Sequence, residues 1–494
     1  MNVVIVGDIG WQYLYHLGDE AMTEAAIDML RARGVDDITL VAGQPHVAEA
    51  FYGLPAVPRV RFKADWSRAR NDWRLQDVAR VLKEEDWDDS PIYAAIRDAD
   101  AVLIAGGGNM NSRDYHLLYG RVAAKRIAEH FGKPLYVSSQ TVGPMLSPED
   151  RTLVVEIADY AQAFGCREAT STALMREHVA HPERIHHTFD DALLLEADNA
   201  ARIKASELTG ARPYVVASFT DHHGSIWESN EAYLRDVASL CREVIDRLNV
   251  DVFLVPHAGS LDPGKQDRDQ LSNAIIEEIV ASPRVRATRM MTAREDIALI
   301  ENAALSLSTR YHPLIFAAAT VTPAVAIAPS YYSSIRMRGA QRNTGFERFI
   351  LPTSSMHLVA DAVAEAIEPS ASLRTALGTA RERALSFQNA WWDALTEAMR
   401  VGGDVNVAVS LDPCASYEPR GIWSIANEAI VPVSDRYAQT VDLSRTLATS
   451  FDEEQAANSR LTKNLGAARA TIAGYQARKA VRITDWIGQK LRRR

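Results

Sequence analysis

Short apolar segments alternate with amphipathic segments from the first residue of the chain onward. The apolar segments NVVIVG, DITLVAG, AVLIAGGG and PLYVSSQ are rich in β-branched residues, and helical patterns at residues 19–33 and 121–131 lie between them. Two more short strands are predicted in AFGCRE and RIHHTFDDALLL. Continuous apolar strands separated by amphipathic helices are typical of a parallel sheet covered on both faces. The pattern therefore predicts one doubly wound, Rossmann-like domain over residues 1–200.

The same alternation restarts after a polar stretch at residues 199–212. Its apolar segments are PYVVASF, DVFLVPH, AALSLSTR and PAVAIAP, with helical patterns at residues 232–248 and 266–281. We therefore predict a second Rossmann-like domain over residues 201–372. The fold class that follows is α/β, with two doubly wound domains and a C-terminal helical extension.

The chain after residue 372 departs from this alternation. A helical pattern that carries Trp391 and Trp392 is expected to pack back across the domain junction. Residues 373–435 are accordingly predicted to form a returning helix and a connector. Residues 436–494 are predicted to form a separate amphipathic and basic helix.

An apolar stripe and a basic end characterise this C-terminal helix. The stripe repeats with a 4-3-4-3 spacing, which places its members on one helical face: Leu461, Leu465, Ala468, Ile472 and Tyr475. The basic end surrounds Trp486 with lysine and arginine, in a protein that is otherwise acidic. Contact with an anionic inner membrane surface is one interpretation. Self-association through a helical seam and a solvated, frayed tail are the others.

Length and charge limit the classes of function. A chain of 494 residues is too long for one hydrophobic core, which agrees with two domains. The net charge of -10 argues against a nucleic-acid partner, because such proteins need a broad basic face. No segment is apolar and long enough to resemble a membrane span, and MNVVIVGDIG does not resemble a signal peptide. We therefore expect a cytoplasmic protein, whose C-terminal helix offers the only predicted contact with the inner face of the membrane.

The segment SLSTRYHPLIFAAA carries the most informative chemistry. It places Arg310 and His312 between a short apolar strand and an apolar helix, where α/β proteins bind their ligands. A guanidinium pairs well with a carboxylate or phosphate, and an imidazole exchanges protons near neutral pH. An anionic substrate that gains or loses a proton would suit this pair, and the segment alone leaves the anion open.

Two earlier strand ends are also candidates. Asp19 and Glu20 lie at the start of a helix in YHLGDEAM, where simple helix capping explains Asp19 as well as catalysis does. Gly107, Gly108 and Asn109 follow a buried strand in IAGGGNMN, where glycines allow the backbone to approach an anion or a sugar. A tight turn without any ligand is the alternative for this second segment.

Two further strand ends carry polar side chains. Gln140 in SSQTVGPM is placed to hydrogen-bond substrate hydroxyls, although the segment also serves as a turn. Arg167 ends an apolar strand, where a guanidinium is costly unless it meets an anion. That anion is either a substrate or a structural partner such as Glu168, Asp190 or Asp191.

Histidine pairs elsewhere do not indicate a metal site. His223 in SFTDHHG and His257 in VPHAG are expected to line the mouth of the second domain and to contact substrate. The chain has no HExxH, Walker or G-x-S-x-G pattern. We predict neither a metal nor a cofactor.

Taken in order, these segments resemble the polysaccharide pyruvyl transferase family. The family shows a Gly-Asp-Glu-Ala segment, a triple-glycine turn, a Gln-x-x-Gly-Pro segment, an Arg-Glu pair and a late Arg-x-His before an alanine-rich helix. The matching residues here are 18–21, 106–109, 140–144, 167–168 and 310–312. The ordered set, rather than any single element, is specific, and it covers residues 1 to about 350.

The resemblance implies a two-domain fold like that of the B-type glycosyltransferases, with phosphoenolpyruvate as the donor. Arg310 and His312 match the donor-binding pair of the family, and Arg167 matches its further donor arginine. The lysine that the family usually has after its late Pro strand is absent here. Arg336 or Arg338 stands in its place.

The implied reaction moves the enolpyruvyl group of phosphoenolpyruvate onto sugar hydroxyls and forms a pyruvate ketal. The acceptor would be a saccharide or a lipid-linked saccharide, which belongs to a cell-surface glycan or its precursor. His312, Asp19 or Glu20 would deliver a proton to the enol carbon. A nucleotide-sugar-dependent glycosyltransferase of the same architecture is the alternative.

Overall fold

The computed structural model describes residues 1–87, 90–221, 227–409, 411 and 414–491. The chain divides into two compact units, Met1–Gln439 and Thr440–Arg494. The first unit contains both parallel sheets, and the second consists of the C-terminal part of one long helix.

Two series of strands follow one another along the chain. The strands of the first half are β1 Asn2–Val6, β2 Tyr15–His16, β3 Asp37–Ala42, β4 Ala56–Pro58, β5 Ala101–Ile104, β6 Gly107–Met110, β7 Leu135–Val142, β8 Ala163–Cys166 and β9 Ile185–His187. Those of the second half are β10 Tyr214–Ser218, β11 Asp251–Leu254, β12 Ala258–Gly259, β13 Val285–Ala287, β14 Leu305–Ser308, β15 Ala324–Ala328 and β16 Ile350–Pro352.

Helices connect most of these strands. The α-helices of the first half are α1 Leu17–Ala32, α2 Pro45–Tyr52, α3 Arg68–Glu84, α4 Pro91–Asp98, α5 Tyr115–His130, α6 Pro148–Tyr160, α7 Ala169–His178 and α8 Asn199–Leu208. The remaining α-helices are α9 Asn230–Leu248, α10 Asp269–Val280, α11 Ala293–Glu301, α12 His312–Thr320, α13 Tyr331–Arg342, α14 Val359–Ile367, α15 Ala371–Val401 and α16 Ile422–Leu491. Short 3₁₀ helices lie at Pro182–Arg184, Asp191–Leu194, Glu347–Phe349 and Thr353–Leu358.

Each half of the first unit builds one parallel sheet. The first sheet has the strand order β4-β3-β1-β5-β7-β8-β9, with β6 paired to β7, and the second has the order β13-β11-β10-β14-β15-β16. Strands β5, β7, β10 and β14 are buried at every position, as the continuous apolar segments require when helices cover both faces. The predicted α/β class with two Rossmann-like sheets and a C-terminal helical part is confirmed.

Each sheet has a point at which the order of its strands reverses. Val4 of β1 pairs with Thr39 on one side and with Val102 on the other. In the second sheet, Val216 of β10 lies between Phe253 and Ser306. Loops that leave such a point at the carboxyl ends of the strands diverge and open a crevice, which is where open α/β sheets bind ligands.

A short antiparallel pair links the two halves at this edge. His16 of β2 pairs with Ala258 of β12. The Leu17 amide donates a hydrogen bond to the His257 carbonyl, at 2.9 Å. The start of α1 in the first half is therefore held against the loop after β11 in the second half.

Helix α15 returns to the first sheet. Trp391 Nε1 donates to Ser138 Oγ at 3.1 Å, and Trp392 Nε1 donates to Asp191 Oδ1 at 2.9 Å. Gln388 Nε2 donates to the same Asp191 oxygen at 2.7 Å. Both tryptophans are completely buried, so this helix joins the second half to β7 through apolar packing as well as hydrogen bonds.

Two elements differ from the sequence-based predictions. In RIHHTFDDALLL the strand is only Ile185–His187 and a 3₁₀ turn follows, because the Asp190 side chain accepts the Ala192 amide and caps that turn. The last helix begins at Ile422 instead of residue 436, with Pro432 inside it. Proline ordinarily ends a helical pattern, which makes such a helix start hard to place from the sequence.

The second unit exposes its apolar stripe. Leu461, Leu465, Ile472 and Tyr475 are each more than half exposed, as is Trp486. Arg492–Arg494, which form part of the predicted basic end, lie outside the described residues. No helix in the described ranges has both the length and the apolar character needed to cross a membrane.

Candidate active site

The turn between β14 and α12 presents the Arg310 and His312 side chains. The strand ends at Ser308, whose Oγ accepts the Arg310 amide at 2.7 Å and thereby fixes the turn. Helix α12 begins at His312 because Pro313 favours the first helical turn and needs no amide partner there. The two side chains are thus held at the switch point of the second sheet.

His312 lies in a closed environment between the two halves. Its imidazole contacts Phe316, with ring centroids 6.1 Å apart, and its Nε2 lies 3.8 Å from Asp190 Oδ2. Burial lowers the pKa of His312 well below its usual value, and the charge of Arg167 lowers it further. The imidazole is therefore neutral at neutral pH when no anion is bound.

Arg167 reaches the same place from the first half. Its Nη1 donates to Asp190 Oδ2 at 2.6 Å, and its Nε donates to Thr141 Oγ1 at 2.8 Å. Its guanidinium stacks 4.2 Å above the ring of Tyr311. Arg167 is only 1% exposed, so the structural partner that the sequence left open is Asp190. The remaining Nη2 faces Gly108, 3.3 Å from the position that a Cβ would take there.

Arg336 of α13 approaches Gly108 from the other side. Its Nη1 lies 3.6 Å from the Cβ position of Gly108 and 3.4 Å from the hydroxyl of Tyr332. Its guanidinium lies over the rings of Tyr332 and Tyr311, at 4.5 and 5.3 Å. Within the described part of the chain, no carboxylate forms an ion pair with Arg336. Two guanidinium groups consequently approach the same glycine, where a side chain would collide with the Tyr332 hydroxyl. We refer to the place between these two arginines as the gap at Gly108.

The glycine turn is fixed by hydrogen bonds to its last carbonyl. The Tyr332 hydroxyl donates to Gly108 O at 2.8 Å, and Asn111 Nδ2 donates to the same oxygen at 2.7 Å. Gly107 opens β6, which pairs with β7. Asn109 is buried within that strand and has no hydrogen-bond partner for Nδ2 among the described residues.

Gln140 stabilises the glycine turn through a hydrogen bond to the residue before it. It is completely buried, and its Nε2 donates to the carbonyl of Ala105 at 2.6 Å. The backbone carbonyl of Gln140 accepts the backbone amide of Arg167 at 3.1 Å. The structure thus places Gln140 behind the glycine turn, where it positions both the turn and the strand end of Arg167.

Arg310 is held by acids of the second half. It forms an ion pair with Asp269, and its Nη2 lies 3.4 Å from Asp221 Oδ1. The other oxygen of Asp269 accepts the amides of His257 and Ala258, at 3.1 and 3.0 Å. Arg310 is therefore charge-balanced by carboxylates, unlike Arg336.

Asp19 and Glu20 point in different directions. Asp19 pairs with His16 at 2.9 Å, and its Oδ1 lies 3.7 Å from the Cβ position of Gly107, so it lies beside the glycine turn. Glu20 turns into the first half, where it accepts hydrogen bonds from the Tyr52 hydroxyl and, at 3.1 Å, from the Gly10 amide. Burial raises the pKa of Glu20 to about 8, which keeps this carboxyl protonated at neutral pH.

The two histidines predicted at the mouth of the second domain have different outcomes. His257 is buried, and its Nε2 lies 2.9 Å from Asp296 Oδ2. That ring nitrogen is therefore engaged inside the protein. His223 lies outside the described residues. No group of three or more His, Cys, Asp or Glu side chains in the described ranges could hold a metal ion.

Sequence reasoning did not single out several residues of this site. Tyr332, Tyr311 and Asp269 contact its arginines, yet they lie on ordinary helical segments or a turn. Arg336 was one of two substitutes for an expected lysine. The signal in the sequence is an arginine in a helix that follows a strand-Pro segment. Arg336 and Arg338 both meet this description, and only tertiary contacts distinguish them.

Comparisons with known proteins concern the family and the fold. A model of the polysaccharide pyruvyl transferase family matches residues 16–331, which include the site residues of α1, the glycine turn, β8 and the β14–α12 turn. No curated protein matches the sequence.

Solved structures share the fold at low sequence identity. A protein from Listeria monocytogenes assigned as a UDP-N-acetylglucosamine 2-epimerase is 14% identical, with a TM-score of 0.54. The match covers 82% of this chain and 99% of that protein. The MnaA–UDP structure from S. aureus is 11% identical, with a TM-score of 0.50, and 85% of this chain covers all of it. The Anabaena protein HepE in complex with UDP is 14% identical, with a TM-score of 0.50, and 81% of this chain covers all of it.

Proposed function

The chain belongs to the polysaccharide pyruvyl transferase family, and we propose that it transfers the enolpyruvyl group of phosphoenolpyruvate to sugar hydroxyls. The product would be a pyruvate ketal on a cell-surface glycan or its precursor. The family implies a saccharide acceptor. Phosphoenolpyruvate as the donor and the ketal as the product are the parts that the proposal adds.

The approach of two guanidinium groups to Gly108 is the observation that carries the proposal. Arg167 Nη2 and Arg336 Nη1 flank the Cβ position of Gly108, at 3.3 and 3.6 Å. Besides burial, the positive charges of both arginines lower the pKa of His312. Phosphoenolpyruvate carries a carboxylate and a phosphate, so two guanidinium groups at one gap form a suitable clamp. Arg310, which is held by acids, would border the bound donor in its family-matched position.

His312 is our candidate for the general acid. In the free protein its imidazole is neutral, and the negative charges of a bound donor would offset the arginines and favour the protonated form. Glu20 is protonated at neutral pH, but its carboxyl is engaged by Tyr52 and Gly10. Asp19 lies beside the glycine turn and would orient the acceptor.

In the proposed reaction both sugar hydroxyls add to the same carbon of the donor. The imidazolium of His312 protonates the terminal enol carbon, which leaves an oxocarbenium-like centre at the carbon that bears the phosphate. A sugar hydroxyl forms a C–O bond to this centre and returns its proton to His312. The C–O bond to phosphate then breaks, a second hydroxyl attacks the same carbon, and the departing phosphate takes the second proton.

Product analysis with matched variants tests the proposal. The protein is incubated with phosphoenolpyruvate and a panel of glycans, and released phosphate and the ketal are followed by a colorimetric assay and by mass spectrometry. We expect Arg336→Met to raise the KM for phosphoenolpyruvate by about tenfold or more, because a charged anchor is lost. Arg342→Met, an exposed position on the same helix, is the control. Phosphate release without any ketal, or equal KM values for the two variants, would contradict the proposal.

A nucleotide-sugar-dependent glycosyltransferase is the second candidate. It draws support from the shared fold of two structures solved with UDP. A ligand that binds the native state raises the melting temperature. The first proposal expects this effect from phosphoenolpyruvate, and the second expects it from UDP but not from phosphoenolpyruvate.

A further inference from the structure

A cavity with basic residues in its wall lies in the first half, at the carboxyl end of β1. Its wall is formed where the loop after β4 and the first turns of α5 meet that strand end. The residues that matter are Gly7, Arg59, Phe62, His116, Gly120 and Arg121. The sequence by itself indicates a function for none of them. In the described part of the chain, none forms a hydrogen bond or ion pair with Gly108, Arg167 or Arg336.

Arg121 is the unusual member of this wall. It is 2% exposed, and its Nη1 donates only to the Leu117 carbonyl of its own helix, at 3.0 Å. Its Nε and Nη2 are buried and have no hydrogen-bond partner among the described residues. A buried guanidinium without an anion is costly, since it loses hydration and gains nothing in return. Arg121 lines the cavity and therefore brings to its wall two donors that no described protein group satisfies.

The acids near Arg121 are already paired. Asp8 accepts a hydrogen bond from Arg59 at 2.6 Å, and Asp19 pairs with His16 at 2.9 Å. Burial lowers the pKa of His116, so this imidazole adds no charge at neutral pH. Of the two arginines in the cavity wall, Arg59 pairs with Asp8, whereas Arg121 forms no ion pair with a described carboxylate.

Gly120 keeps the cavity open. It lies inside α5, where glycine weakens a helix relative to alanine. A Cβ at this position would meet no heavy atom within 4 Å, so packing does not require glycine here. The absence of a side chain leaves room beside Arg121.

We propose that this cavity binds one negatively charged group of the saccharide acceptor, a carboxylate or a phosphate, through the free donors of Arg121. Calling the ligand the acceptor rests on the proposed function. Asp19 relates the two sites: its Oδ1 lies 3.7 Å from the Cβ position of Gly107, and its charge also acts on Arg121. An anionic acceptor anchored at Arg121 would thus approach the donor gap past Asp19. Arg59, stacked 4.5 Å from the ring of Trp11, would form the outer wall.

Binding in the absence of phosphoenolpyruvate tests the cavity directly. Calorimetric titrations compare glucuronate, glucose 1-phosphate and neutral glucose on the full-length protein. We expect one or both anionic sugars to bind about tenfold or more tightly than glucose, as charge-assisted hydrogen bonds imply. A preference for glucuronate identifies a carboxylate, and a preference for glucose 1-phosphate identifies a phosphate. Equal affinities for all three sugars would overturn the proposal.

Variants locate the binding. Arg121→Met should remove the preference for anionic sugars without lowering the melting temperature, because the replacement buries an apolar chain in place of an unpaired charge. Gly120→Leu should weaken all three sugars by filling the space and leaving Arg121 in place. Arg126→Met, on the same helix but paired with Glu156, is the control and should retain the preference. An undiminished preference in Arg121→Met would overturn the assignment.

Failure of this proposal and failure of the proposed function are distinguishable. If the anionic sugars bind through Arg121 but no ketal forms from phosphoenolpyruvate, the binding site at Arg121 is supported and the proposed reaction is contradicted. If ketals form equally well on neutral and acidic sugars and Arg121→Met leaves the KM values for both kinds of sugar unchanged, the proposed reaction is supported. The assignment of the cavity to the acceptor is then contradicted. Competition by phosphoenolpyruvate for the glucuronate site would also overturn the assignment to the acceptor.

Discussion

Gly18 and His312 meet so closely that a side chain on Gly18 would overlap the imidazole ring. A Cβ built on Gly18 would collide with His312 Nδ1 and with its neighbouring ring atoms. Gly18 lies in the first turn of α1 in the first half, and His312 begins α12 in the second half. This contact sets the position of the imidazole between the two sheets, and it explains the glycine through close approach.

Gly18→Ala should therefore displace His312. The added methyl group forces the imidazole away from the gap, and we expect kcat/KM to fall by about 10² to 10⁴, the usual contribution of general acid catalysis. Steady-state kinetics and thermal unfolding measure the two effects separately. Gly210→Ala is the control, because a Cβ there meets no atom within 4 Å. Full activity in Gly18→Ala would show that the imidazole position is unimportant.

The low pKa of His312 predicts the pH dependence of the reaction. If the imidazolium is the acid, the active fraction of the free protein decreases about tenfold per pH unit above that pKa. The value of kcat/KM should hence rise as the pH falls from 8 towards 6, because burial and Arg167 hold the pKa of His312 well below its usual value. The His312→Gln variant should lose most activity and this slope, whereas exposed His357→Gln should retain both. A kcat/KM that increases with pH would indicate a general base.

Glu20 predicts a pH dependence of stability. Its carboxyl has a pKa of about 8 in the folded state against 4.5 ordinarily, so the folded state binds the proton more tightly. The stabilisation is fully present below about pH 4.5 and is lost as the pH rises through 8. At about 1.4 kcal/mol per pKa unit, the loss amounts to a few kcal/mol.

Urea unfolding between pH 5 and pH 9 measures this loss. The Glu20→Gln variant keeps a neutral side chain that can still bond to Tyr52 and Gly10, so its stability should change less over this range. Glu49→Gln, at an exposed site on α2, is the control and should follow the wild type. Parallel curves for wild type and Glu20→Gln would show that Glu20 is ionised in the folded state.

Removal of residues 440–494 should leave ketal formation unchanged. The site residues belong to the unit Met1–Gln439, whereas the deleted residues form the other unit. Sedimentation and flotation with anionic vesicles, performed on both proteins, separate the two predicted roles of the exposed stripe, self-association and membrane contact. A loss of turnover in the shortened protein would contradict this expectation.

Periodicity predicted the elements, and local hydrogen bonds changed their ends. Buried strands such as β5 and β7 occur where continuous apolar segments predicted them. The strand at Ile185–His187 stops early because the Asp190 cap competes with it. Helix ends are decided by such local hydrogen bonds, which a hydrophobic pattern does not contain.

The sequence by itself determined the fold class and the ends of the strands at which Arg167, Arg310 and His312 lie. Those conclusions depend on periodicity and on motif order, which are properties of neighbours along the chain. Only the tertiary structure decided which charges are compensated: Asp190 pairs with Arg167, Asp269 pairs with Arg310, and Arg336 has no described carboxylate. Compensation depends on distances of a few ångströms between residues far apart in the chain. The folded arrangement of both halves therefore decided which two arginines, Arg167 and Arg336, meet at Gly108.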